Sequence, residues 1–122
     1  MKEQRQKFAS YLDERIAACQ QRGRLLTADD RIDEGNFEKI RANVYEIFKT
    51  ILSVAERVCG RDEPAKRDFF LQKAEQIPAS WKVSYEKAQQ NGDAEKMHIE
   101  RIKLETIQEI KNMCIQIWGE TA

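Results

Sequence analysis

Apolar residues recur along this chain every three or four positions and almost nowhere every second one. That period matches the turn of an α-helix and not the pleat of a strand. Phe8, Leu12, Ile16 and Cys19, with Tyr11 beside them, predict a helix from about Lys2 to Arg22. Gly23 is read as its C-terminal cap. Thr27-Ala28-Asp29-Asp30 then resembles a capping box, and Asp33 offers a second helix start just before Gly35. Whether the second helix runs through Gly35 or restarts there is left open. From Phe37 the pattern is dense: Phe37, Ile40, Val44, Ile47, Phe48, Ile51, Ala55 and Val58, widened by Tyr45, Leu52, Val54 and Cys59. An apolar arc that wide requires neighbours on more than one side, so this is the expected central helix, ending near Gly60.

Asp62-Glu63-Pro64 places acids at the positive end of a helix dipole and proline in its first turn. Phe69, Phe70, Ala74 and Ile77 line the helix that follows. Pro78 is expected to end it by removing a donor and by disfavouring α geometry at Ile77. The next helix carries Trp81, Tyr85 and Ala88 and closes at Asn91-Gly92, and Asp93 caps the last one. That last helix is expected from about Ala94 to Trp118, with Ile99, Ile102, Thr106, Ile110, Met113 and Ile117 as its seam. The predicted fold is all-α: an up-and-down helical bundle of four helical rods, the third broken at Pro78, without a sheet and with residues 1–122 as one domain.

Composition narrows the classes of function. Lys and Arg together number 21, as do Asp and Glu, so the formal net charge is zero. No segment concentrates the positive charge that phosphate backbones require, which makes nucleic acid an unlikely partner. Three cysteines lie far apart with no C-x-x-C spacing. They fit free thiols in a reducing compartment, and with no apolar signal or membrane span in view the expected location is cytoplasmic.

Several groups were weighed as carriers of chemistry. Glu95-Lys96-Met97-His98 has the Glu-x-x-His spacing used in di-iron bundles, because i and i+3 project to one side of a helix. The chain has one histidine where such a site needs two, so a boundary histidine is preferred and no metal or cofactor is expected. The acidic run Asp29 to Gly35 fails the EF-hand pattern, since Ile32 and Arg41 fall where acids are needed. Arg41 projects into the apolar arc between Phe37 and Phe48 and is a candidate anion or ligand contact, against the alternative of a structural pair. Cys19, Cys59 and Cys114 sit on or beside apolar stripes and read as packing residues.

The remaining lead is apolar excess on the last helix. Leu104, Ile115 and Trp118 lie far round from the Ile99 seam, beyond what one core contact needs, and form a candidate protein interface. The leading expectation is a small non-enzymatic bundle acting through self-association or a protein partner. The alternatives are a ligand, anion or metal-binding bundle centred on Arg41 or on Glu95 and His98, and a transcription-related regulator.

Overall fold

The computed structural model describes residues 2–119 of the chain. Five helices follow one another: α1 (Lys2–Ala28), α2 (Ile32–Cys59), α3 (Glu63–Gln76), α4 (Ala79–Gln90) and α5 (Ala94–Trp118). No strand occurs among the described residues. The turns after α1, α2 and α4 take three residues each, which is short enough to force antiparallel neighbours. α3 and α4 share one rod, so the architecture is the expected four-rod bundle with the third rod broken at Pro78.

The turns carry the chemistry that the sequence foretold for four of the helix ends. The Asp62 carboxylate accepts from the Ala65 amide at 3.0 Å, and the Asp93 carboxylate accepts from the Lys96 amide at 3.1 Å. Each cap satisfies an amide that the first helical turn leaves without a partner, which stabilises by about 1 kcal/mol. Gly60 and Gly92 leave their helices at φ 62° and φ 68°, a region where a Cβ would clash.

Two local expectations are corrected. Ile77 keeps helical angles, φ −62° and ψ −44°, so Pro78 does not push it out of the α region. The rod breaks because Pro78 has no amide to donate and flattens to ψ −5°. Gly23 is not a cap either. α1 runs on to Ala28, Thr27 lies inside it, and the turn closes with Asp30 in the left-handed region at φ 60°. α2 begins at Ile32 with Arg31 at its N-cap and no side-chain cap, and it is continuous through Gly35.

The glycines instead let two helices touch. A Cβ on Gly35 would stand 2.5 Å from Thr27 Oγ1 and 3.1 Å from the Gly23 carbonyl oxygen. A Cβ on Gly23 would meet its nearest neighbour at 3.4 Å, an ordinary contact. Only the Gly35 position is closed to a side chain.

α2 is the central helix, touching α1, α3 and α5, while α4 rests chiefly on α5. Tyr45, Phe48, Leu52 and Ala55 of α2 are fully or almost fully buried. One aromatic ring from each rod joins them: Phe48 of α2 meets Phe70 of α3 at 5.7 Å, Phe70 meets Phe8 of α1 at 4.9 Å, and Phe8 meets Trp118 of α5 at 5.5 Å. All three contacts are edge-to-face, the geometry that ring quadrupoles favour.

Gly35→Ala should lower stability by about 1–3 kcal/mol, because the new methyl runs into the Thr27 hydroxyl and presses on the Gly23 carbonyl, overpacking the crossing. Gly23→Ala should be neutral or stabilising by up to about 1 kcal/mol, since alanine is the better helix former. Urea unfolding followed at 222 nm tests both, and equal losses from the two substitutions would contradict the asymmetric crossing.

Candidate functional site

Helices α3 and α5 lie side by side, and a groove runs along their seam. It has two hollows. The upper, about 160 Å³, is lined by Ala74, Pro78, Leu104 and Ile107 among others. The lower, about 510 Å³, is lined by Leu71, Gln72, Asp68 and Ile115 among others. Glu75, Gln108 and Lys111 line both.

The period of α5 explains the groove. Ile110 and Cys114 are completely buried and hold α5 against the centre of the bundle. Leu104, Ile107, Lys111 and Ile115 come round on the side that faces α3 and line the seam between the two helices. The ammonium of Lys111 donates to the Glu75 carboxylate, so one ion pair crosses the groove between its hollows. The Lys111 hydrogen bond holds the Glu75 carboxyl below its ordinary range. Glu75 is 60% exposed, and an exposed pair of this kind is worth only about 0–1 kcal/mol. The bridge is therefore a movable feature and not a structural strut.

The structure divides the three residues of the candidate interface. Leu104 and Ile115 are half-buried, one in each hollow. Trp118 is not a surface residue: it is 8% exposed and belongs to the core. Its indole Nε1 donates to Glu63 Oε2 at 3.1 Å, and Lys66 Nζ stands 3.4 Å from Glu63 Oε1. The Phe8 ring meets it edge-to-face, so Trp118 closes the lower end of the bundle. Glu63 thus belongs to a buried cluster, and Arg67 on the next turn donates to Asp68.

The other leads land elsewhere. Arg41 Nη1 donates to Glu38 Oε1 at 2.5 Å, and Arg22 lies 3.6 Å from the same oxygen. Glu38 is almost fully buried, so the carboxylate that Arg41 grips belongs to its own helix. Glu95 and His98 are both exposed, and the His98 ring packs edge-on against Phe37 with centroids 4.4 Å apart. Among the described residues no group of three or more His, Cys, Asp and Glu is arranged to hold a metal.

Two further features escaped the sequence reading. A hollow of about 670 Å³ lies between α1 and α2, floored by the small residues Cys19, Gly23 and Ala42. Burial raises the Cys19 thiol pKa, which keeps it protonated and unreactive. A polar staple also joins three helices. Tyr11 and Tyr45 each donate to one oxygen of Glu109 at 2.9 Å, and Arg15 Nε donates to the Tyr45 hydroxyl at 3.2 Å. Burial pushes both phenols up, Tyr45 to about 12, so they act as donors and not as bases. Pairing of residues this distant in sequence leaves no local pattern by which to find it.

Trp118→Phe should cost about 1–3 kcal/mol, because it leaves Glu63 Oε2 buried without its donor. Thermal unfolding checks this. Burial raises Cys114 to about 12 and Cys19 above its ordinary value, so both thiols remain protonated at pH 8. A thiol-disulfide reagent at that pH should therefore modify Cys59 rapidly and the other two only after denaturation. Equal rates at all three would contradict the packing described.

No family model, curated protein or solved structure matches this chain.

Proposed function

We propose that the chain works without catalysis, as a helical module that docks a partner helix in the α3–α5 groove. The observation that supports this reading is the pairing of Leu104 and Ile115 in one groove crossed only by an exposed ion pair. The two residues stand eleven positions apart on α5, about 16 Å along its axis. That is three turns, a length over which an amphipathic helix presents several anchors, about one per turn. Leu71, Ala74 and Ile107 give the hollows apolar floors, and Asp68, Gln72 and Lys82 give them a polar rim. Other exposed aliphatics, Leu25, Ile32, Ile47, Val58 and Val83, are spread over α1, α2 and α4, as is ordinary for a protein surface.

Arg41 and the Glu95–His98 pair receive no comparable support, since Arg41 is engaged by Glu38, and Glu95 and His98 are exposed with the His98 ring against Phe37. A zero formal net charge likewise lends nothing to a DNA-contacting regulator.

A photo-crosslinking amino acid in place of Gln72, introduced in the cells that make the protein, tests the reading. It should yield a discrete adduct, and Ile115→Asp should remove that adduct without changing the helical circular-dichroism spectrum. Absence of an adduct, or one indifferent to Ile115→Asp, would overturn the assignment of the groove.

A further inference from the structure

We propose that the occupant of the α3–α5 groove is a second copy of this chain, docked antiparallel about a two-fold axis that passes between Gln108 and Lys111. This rests on the docking reading above and adds the identity of the partner.

A two-fold interface joins a surface to itself, so the surface must be its own complement. The groove meets that condition along its length. Its lower end carries Asp68 and its upper end Lys82. An antiparallel second copy brings its Lys82 to Asp68 and its Asp68 to Lys82, with opposite charges at both ends. A parallel copy would set like against like. Asp68 contacts Arg67 of its own chain yet leaves about half its side chain, 49%, exposed to meet a second cation. Lys82 is exposed.

The apolar positions obey the same symmetry. Leu104 of one copy falls opposite Ile115 of the other, and Gln108 falls opposite Lys111. At the axis the two Glu75–Lys111 bridges lie side by side, so each lysine gains a second carboxylate and the weak crossing pair becomes a four-charge network. The net charge of zero removes the long-range repulsion that opposes association of identical chains. Three turns of contact fall at the small end of stable interfaces, so the dimer is weak and depends on concentration.

Sedimentation velocity over a concentration series tests the proposal. The weight-average mass should climb from one chain towards two, and Ile115→Asp should hold it at one. Asp68→Lys and Lys82→Asp should each weaken association by about tenfold or more, by setting like charges together at both ends. The double variant Asp68→Lys with Lys82→Asp should recover association, because the opposed signs are restored. Both positions are on the surface, so unchanged circular dichroism is expected throughout. A single-chain mass at every concentration would overturn the proposal, as would a double variant no better than its parents. If the Gln72 crosslinker still captures a different protein in an Ile115-dependent way while the chain stays monomeric, docking stands and self-association falls.

Discussion

Four aromatic rings, one from each rod, meet in an unbroken edge-to-face chain: Phe48, Phe70, Phe8 and Trp118. Their burial removes more apolar surface from water per residue than aliphatic contacts of the same number would. It also sets direction, since an edge-to-face contact constrains the rotation of each helix about its own axis. Once Phe8 of α1 is seated between Phe70 and Trp118, the polar flank of α1 is brought to α5. There Tyr11 and Tyr45 grip the Glu109 carboxylate from two different helices. The polar staple is a consequence of the aromatic one, because hydrogen bonds add little net stability until packing has brought the groups together.

The same geometry produces the groove. α5 must turn Ile110 and Cys114 inward and bring Trp118 under Phe8. Leu104, Ile107 and Ile115 then face α3, whose own large ring, Phe70, is engaged at the centre. From the other side Leu71, Ala74 and Pro78 line the seam, and a groove remains between the two sets. The ion pair between Glu75 and Lys111 spans the space that side-chain volume leaves. A surface groove thus arises from how the interior is filled.

Chemistry weighed from residue identity fared according to its neighbours. Arg41 among apolar residues is chemically suited to an anion, and it has one: the buried carboxylate of Glu38 three residues before it. Three cysteines on apolar stripes were read as packing residues, and Cys19 and Cys114 are buried with raised pKa values, while Cys59 is only half-buried. Glu95 and His98 have the spacing of ligands, but both are exposed, and among the described residues no further metal-binding groups gather with them. In each case the side chain's potential was visible early, and its surroundings decided the outcome.

Periodicity and local residue chemistry established the helical class, the central place of α2, the caps at Asp62 and Asp93 and the interruption at Pro78, because each depends on residues close together in one helix or turn. It misjudged Gly23 as a cap and did not decide Gly35, because the role of both is a contact between two helices and not a property of either. It placed Trp118 with Leu104 and Ile115, since an angle on one helix does not say which neighbour lies there. The Tyr11–Glu109 contact joins residues 98 positions apart and belongs wholly to tertiary structure. Short-range geometry is written in the order of residues, whereas packing between rods depends on volumes and rotations that appear only when the whole chain has closed on itself.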